Sequence, residues 1–132
     1  MITGYALNNG YHIINWGGTY CRICISKDGY AVRVLLRDGS TNYMGQSVMT
    51  SSNLTSNKWN HYAITFNSGM IKIYINGTLD NTLTATINNV LFSTTNVSIG
   101  TYGSVELCKA KASDFRLYAT ALTADDVLEL YN

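Results

Sequence analysis

Two of the three cysteines have a spacing that could serve metal or redox chemistry. Cys21 and Cys24 form a Cys-x-x-Cys pair, which resembles half of a zinc site. No second cysteine pair or closely spaced histidine pair supplies the remaining ligands. The surrounding residues alternate as in a strand, where side chains three positions apart point to opposite faces. We therefore expect free thiols that are buried or half-buried. Cys108 makes the cysteine count odd, which argues mildly against an oxidising compartment.

Carboxylates are too few and too scattered for glycoside hydrolysis, which normally needs two carboxylates facing one sugar bond. The only glutamates are Glu106 and Glu129, and the aspartates are dispersed along the chain. No serine lies in a Gly-x-Ser-x-Gly elbow. His12 has no identifiable partner. The sequence therefore predicts a protein that is not an enzyme.

Composition excludes two classes of partner. The chain has 132 residues, enough for one domain over residues 1–132, with 46% apolar residues and a net charge of +1. It has no basic stripe for nucleic acid and no apolar run near the ~20 residues of a membrane span. Residues 1–5 lack the features of a signal peptide. We expect a soluble chain, or one cut from a longer protein, without nucleic-acid binding or membrane insertion.

Two hairpins follow from turn chemistry and apolar pairing. With Asp28-Gly29 as a two-residue loop, Ile25 pairs with Val32, and the pairs further along this hairpin are also apolar. With Ser68-Gly69 as the second loop, Phe66 pairs with Ile71, and again every pair on that face is apolar. Each register gives its hairpin one buried face.

The other face of the first hairpin is basic. It carries Tyr20, Arg22 and Cys24 opposite Arg37, Leu35 and Arg33, with no acidic residue among them. Arginine around an aromatic and apolar centre is typical of a contact surface. Such a surface could hold an acidic glycan, a neighbouring subunit or an additional strand. The alternative is an ordinary outer sheet whose arginines lie over their own apolar neighbours.

Further strands and one helix complete the predicted elements. Thr123 is predicted to cap a C-terminal helix, with Asp125 and Asp126 in its first turn. Many short strands at close spacing favour a sandwich or jelly roll. The further strand candidates are 11–16, 41–49, 79–86, 97–101 and 107–118.

A family resemblance rests on several of these segments. Lys58-Trp-Asn-His-Tyr-Ala-Ile-Thr-Phe66, followed by Ile71-Lys-Ile-Tyr-Ile-Asn-Gly77, resembles the central signature of laminin G-like, concanavalin A-like jelly rolls. Residues 97–100, 112–118 and 121–131 resemble the closing strands and terminal helix of that family. The resemblance covers roughly residues 11–131.

The resemblance implies an all-β, antiparallel jelly-roll β-sandwich with one short C-terminal helix. It implies that Trp59 is buried in the core and that His61 has a structural role. Members usually open with one more strand, which pairs near the last one. That N-terminal strand is apparently missing, so either the chain is a fragment or another segment or subunit fills the edge.

The resemblance also bears on function. The glycanase Glu-x-Asp-x-Glu strand is absent, which again predicts no catalysis. We expect no cofactor and no metal site. Some members of the family bind calcium in loops, and Asp80 or Asp114 could contribute to such a site here. For Asp114, however, we rather expect that it orients neighbouring backbone or pairs with Arg116.

Two kinds of recognition remain open. One is a lectin-like glycan-binding or adhesion module, whose exposed aromatics would include Tyr43 and Tyr102. The other is a structural domain that mediates subunit contacts, including homo-oligomers, without binding sugar. Either would belong to a larger viral (phage) or bacterial surface protein, on the extracellular surface or the virion.

Overall fold

The computed structural model describes residues 10–16, 21–26, 32–39, 42–46, 58–91, 96–102, 106–107, 111 and 113–132. Strands dominate these ranges, and one short helix ends them, as the sequence predicts. The elements are β1 (Gly10–Trp16), β2 (Cys21–Ser26), β3 (Val32–Arg37), β4 (Asn42–Gln46), β5 (Tyr62–Asn67), β6 (Met70–Ile75), β7 (Thr78–Thr84), β8 (Val97–Ile99), β9 (Thr101–Tyr102), β10 (Glu106–Leu107) and α1 (Ala124–Tyr131).

Two antiparallel sheets face each other across one apolar core. The larger sheet has the order β4-β3-β2-β1-β8, and the smaller one has the order β5-β6-β7. Strands β9 and β10 form a separate short pair. The five-stranded sheet and the three-stranded sheet both contribute side chains to the same buried cluster. Two sheets that pack face to face on one core form a β-sandwich. The cluster consists of Ile14, Trp16, Cys21, Val32, Val34, Leu36, Ile71, Ile73, Ile75, Ala85 and Ile87.

Both predicted hairpin registers are confirmed. Ile25 pairs with Val32 in the first hairpin, and Phe66 pairs with Ile71 in the second. Ser68 and Gly69 have φ values of 46° and 82°, so both residues of that loop adopt the left-handed conformation of a type I′ turn. The loop at residues 27–31 lies outside the described residues.

Most of the further strand predictions hold, with shifted ends. The strand predicted at 41–49 is β4, and that predicted at 79–86 is β7; residues 47–49 lie outside the described residues. The segment predicted at 97–101 is divided between β8 and β9.

One strand prediction is wrong over part of its length. A continuous strand was expected over 107–118, but residues 113–118 have no strand pairing. Phe115 and Leu117 in this segment are half-exposed or more. The alternating pattern alone could not produce a strand there, because a strand also needs a neighbour to receive its backbone hydrogen bonds.

Helix α1 begins as the sequence predicts. The Thr123 hydroxyl accepts a hydrogen bond from the Asp126 backbone N–H at 3.2 Å, and the Asp126 carboxylate accepts one from the Thr123 N–H at 2.8 Å. These reciprocal bonds form a capping box. Val127 is completely buried on the inner side of the helix, while Leu128 and Tyr131 lie against Gly77 in the turn between β6 and β7.

Candidate functional site

A fixed arginine lies on the segment that precedes α1. Arg116 donates to both carboxylate oxygens of Asp114, from Nε at 2.8 Å and from Nη2 at 2.9 Å. This pair was one of the two roles predicted for Asp114. Hydrogen bonding to Asp114, with a smaller effect from Tyr118, raises the pKa of Arg116 above its ordinary value. Two parallel bonds fix the plane of the guanidinium, so its orientation is set within the chain itself.

The first turn of α1 supplies a second ordered polar group. Asp126 Oδ2 accepts hydrogen bonds from the Thr123 backbone N–H and from its hydroxyl, at 2.8 and 2.6 Å. These hydrogen bonds lower the pKa of Asp126 below its ordinary value of 3.8, so the group is ionised at neutral pH. Glu129 follows one turn later and therefore lies beside Asp126 on the helix surface.

These groups line an open groove of about 500 Å³ between α1 and the segment before it. We call this the α1 groove; it is lined by Arg116, Tyr118, Leu122, Asp126, Glu129 and Leu130. Tyr118 is 44% exposed, so part of its side chain is accessible to a ligand. Apolar contact comes from the two leucines and the ring of Tyr118, and the charged donors and acceptors are Arg116, Asp126 and Glu129. This combination can bind a small polar molecule that also has an apolar face.

His61 lies next to this region in a mainly structural setting. Its backbone N–H donates to Asn76 Oδ1 at 2.9 Å, and its carbonyl accepts from the Asn76 N–H at 2.9 Å. Its ring lies 6.0 Å from the ring of Tyr131. Burial lowers the pKa of His61 from 6.5, with smaller opposing effects of Asp114 and Arg116. The backbone bonds tie the residue before β5 to the turn after β6 but do not involve the imidazole, so a structural role of the His61 side chain stays a prediction.

Trp59 is not buried, so the expectation that it anchors the core is wrong. Its exposed fraction is 69%, although it lies only three residues before β5. The core positions of β5 are instead Tyr62, Ile64 and Phe66, which pack against the buried cluster. Trp59 lies before β5, so the alternation of inward and outward side chains along that strand does not extend to it. The neighbouring sequence therefore could not determine whether Trp59 is buried.

The basic face of the first hairpin is also not an exposed surface. Arg22, Arg33 and Leu35 are only 4%, 7% and 4% exposed, and Arg37 is half-buried. The cross-strand neighbours are as predicted, since Arg22 lies opposite Leu35 and Cys24 lies opposite Arg33. The prediction of an outward-facing contact surface is therefore wrong for Arg22, Arg33 and Leu35. The three arginines each have an interaction partner within the protein.

The register places two of the three tyrosines that were predicted as contacts. Tyr43 lies in β4 opposite Leu36, and Tyr102 lies in β9 opposite Glu106. Tyr20 lies outside the described residues. Their roles as ligand or subunit contacts stay predictions.

The cysteines agree with the interpretation as free thiols. Neither Cys21 nor Cys24 forms a disulfide, both are buried, and they belong to opposite faces of β2: Cys21 lies in the core, and Cys24 lies opposite Arg33. Burial raises the pKa of Cys21, which disfavours the reactive thiolate. Cys108 lies outside the described residues.

Comparison with known proteins identifies the family. The model of the Laminin_G_3 family, of the concanavalin A-like lectin/glucanase superfamily, matches residues 6–128. The chain belongs to this family. No curated protein matches the sequence. No helix in the described part of this Laminin_G_3 chain is long and apolar enough to cross a membrane.

Solved structures agree with the Laminin_G_3 fold. The botulinum neurotoxin serotype D binding domain is 22% identical with a TM-score of 0.68, and the receptor-binding domain of the mosaic serotype C/D toxin is 23% identical with a TM-score of 0.69. Each alignment covers 94% of this chain and 32% of the toxin chain, so this chain spans about a third of their length. An S-layer domain-containing protein from Clostridium thermocellum is 19% identical with a TM-score of 0.50, covering 100% of this chain and 69% of that one.

Sequence reasoning missed the α1 groove as a site. The signals were present separately: Asp114, Arg116 and Tyr118 alternate along the chain, and the capped helix follows them. Only the packing of α1 against the preceding segment brings Tyr118 and Glu129 to one cavity.

Proposed function

We propose that this Laminin_G_3 domain is a non-catalytic recognition module that binds glycans in the α1 groove. The observation that carries the proposal is the orientation of Arg116 by Asp114 at a groove that also contains the accessible Tyr118. A site whose polar groups are ordered before the ligand arrives loses less conformational entropy on binding. The superfamily includes lectins, which supports this class of ligand.

The groove has the chemistry that a sugar needs. Sugars present an apolar face of C–H groups and a rim of hydroxyls, and tyrosine offers an apolar ring together with a polar tip. Tyr118 and Leu122 supply apolar contact. Arg116 can donate hydrogen bonds to sugar oxygens, while the carboxylates of Asp126 and Glu129 can accept them from sugar hydroxyls.

The two carboxylates of the groove do not favour hydrolysis. Asp126 and Glu129 lie on one helix, three residues apart, and therefore on the same wall of the groove. Glycosidases place their carboxyl groups on either side of the scissile bond, and their general acid has a raised pKa. The pKa of Asp126 is instead lowered by its bonds to Thr123. This arrangement supports binding without catalysis.

The proposed setting is a larger surface protein. Among the solved structures of the same fold, two are binding domains of botulinum neurotoxins, and one is an S-layer domain-containing protein. We place the parent protein of this chain on an extracellular surface or a virion, of bacterial or phage origin. Its partners there are glycans.

A second candidate function is subunit assembly. Phe115 is 51% exposed and Leu117 is 65% exposed, and both lie in a segment that has no strand pairing. Apolar side chains at alternate positions of an extended segment can pack against a strand supplied by another chain. In that case the domain would form subunit contacts in an appendage or surface assembly and would not need to bind sugar.

A glycan array followed by calorimetry with the best-bound oligosaccharide tests the first candidate. We expect Tyr118→Ala to weaken binding about tenfold or more, because it removes the ring in the groove. Trp59→Ala is the control, since Trp59 is an aromatic side chain that is 69% exposed but does not line the groove. Circular dichroism would establish that both variants fold.

Two results would contradict the glycan proposal. The first is the absence of binding to any glycan on the array. The second is an equal affinity of the wild type and the Tyr118→Ala variant. A concentration-independent oligomer that Leu117→Ser dissociates, together with an empty array, would favour the assembly function instead.

A further inference from the structure

We infer that the α1 groove selects neutral glycans against acidic ones, and that Glu129 determines this specificity. The inference rests on the proposed glycan-binding function and adds the substrate class to it. It comes from the charges around the groove, which differ from those on the basic face of the first hairpin, where an acidic glycan was one of the occupants that the sequence left open.

The first potential site for an anion is Arg116, and it is already paired with a carboxylate. Its guanidinium makes two hydrogen bonds to the carboxylate of Asp114, at 2.8 and 2.9 Å. An acidic sugar would have to compete with a carboxylate held two residues away in the same chain. A sugar hydroxyl needs only one of the remaining N–H donors, since a guanidinium has five of them.

The second potential site for an anion is the beginning of α1, and it is also occupied. The positive end of a helix attracts anions. Here the carboxylate of Asp126 accepts from the Thr123 N–H and hydroxyl, and the Thr123 hydroxyl accepts from the Asp126 N–H. The helix cap therefore already contains a negative charge, which lines the groove.

Glu129 adds a further negative charge. It lines the groove, and no basic residue lies in the last turn of α1 to offset it. Arg116 is the one cation among the residues that line the described groove, whereas Asp126, Glu129 and the nearby Asp114 are three carboxylates. A carboxylate or sulfate ester on a ligand would approach a net negative wall, while neutral hydroxyls would find acceptors there.

The test uses an array that carries neutral oligosaccharides beside their sialylated and sulfated derivatives. The variant is Glu129→Gln, which removes the charge but keeps an oxygen that can accept a hydrogen bond. The matched control is Asp125→Asn, which removes one charge from the same helix at a position that does not line the groove. Affinities for each neutral and acidic pair would be measured by calorimetry at low and high salt.

We expect the wild type to bind the neutral member of each pair about tenfold more tightly. Glu129→Gln should improve the affinity for the acidic member relative to the neutral member by about three- to tenfold, the effect of one nearby charge in a partly solvated site, since the amide oxygen can still accept a hydrogen bond from either ligand. Asp125→Asn should have a much smaller effect. Raising the salt concentration should bring the wild-type affinities for the neutral and the acidic member closer together, because salt screens the charge of the groove carboxylates.

The outcomes separate this inference from the function on which it rests. Equal or tighter binding of the acidic derivatives by the wild type overturns the neutral preference and leaves glycan binding intact. A preference that Glu129→Gln does not reduce overturns the role of Glu129. An array without any bound glycan overturns the proposed function itself.

Discussion

Arg116 illustrates how a surface ion pair can matter more for binding than for stability. Arg116 and Asp114 are 50% and 66% exposed, and ion pairs that are exposed to solvent add little to folding stability. Fixing a guanidinium plane, however, reduces the ordering that a ligand must impose. Asp114 has a φ of 56°, a left-handed conformation in the same short segment. At the scale of single residues, the orientation of the Arg116 guanidinium in the groove therefore depends on its hydrogen bonds to Asp114, two residues away.

Trp59 gives the residue-scale prediction. Trp59→Ala should lower the free energy of unfolding by less than about 1 kcal/mol, because a side chain that is 69% exposed leaves little cavity. Ile73→Ala, at a fully buried position of β6, should cost about 2–5 kcal/mol. Urea titration followed by fluorescence would compare them, since the buried Trp16 reports unfolding in both variants. A loss of 3 kcal/mol or more for Trp59→Ala would restore the core role that the family signature implies.

At the scale of elements, α1 is determined at its start by local chemistry and held in place by tertiary contacts. The capping box needs only Thr123 and Asp126, which are three residues apart. The position of the helix depends on Val127, which is fully buried, and on the contact of Leu128 and Tyr131 with Gly77. Because α1 forms one wall of the α1 groove, this contact also positions Glu129.

Gly77 gives the element-scale prediction. Gly77→Ala should destabilise the protein by at least about 1 kcal/mol more than Gly100→Ala. Both glycines have a φ of 77°, so the backbone strain of the two substitutions is matched. A Cβ at Gly77 would lie 2.9 Å from Tyr131 Cδ1, whereas a Cβ at Gly100 would meet nothing within 4 Å. Thermal unfolding would measure both, and equal losses would show that α1 does not pack tightly on this turn.

At the scale of the molecule, strand β3 of the larger sheet is buried on both of its faces. One face contributes Val32, Val34 and Leu36 to the core between the sheets. The other face carries Arg33 and Leu35, which are also buried. Each arginine of this face has an interaction partner within the protein, and the long apolar stem of an arginine can lie over apolar neighbours.

Leu35 gives the prediction for the whole molecule. Leu35→Ser should cost about 2–5 kcal/mol, because it removes a buried side chain and introduces a hydroxyl. Leu79→Ser is the matched control and should cost less than about 1 kcal/mol, since Leu79 is 46% exposed. Urea titration would measure both. Similar losses would show that the basic face is open, and would revive the contact surface predicted from the sequence.

The sequence by itself determined the pairing of neighbouring strands and the start of the helix. Ile25 with Val32 and Phe66 with Ile71 follow from turn residues and from the requirement that apolar side chains share a face, since a slip of one residue would reverse that face. The Thr123 cap and the Asp114–Arg116 pair are equally local. The family signature predicted how these local elements combine into one fold, because the packing residues of a jelly roll recur in a fixed order.

Only the tertiary structure decided which surfaces are covered. Strand alternation placed Arg22 and Leu35 on one face, but their burial depends on what lies over that face. In the same way, Trp59 belongs to a core signature and is nevertheless exposed. The α1 groove exists because α1 packs beside the segment that contains Tyr118. Burial and cavities are made by residues far apart in the chain, so no local pattern can specify them.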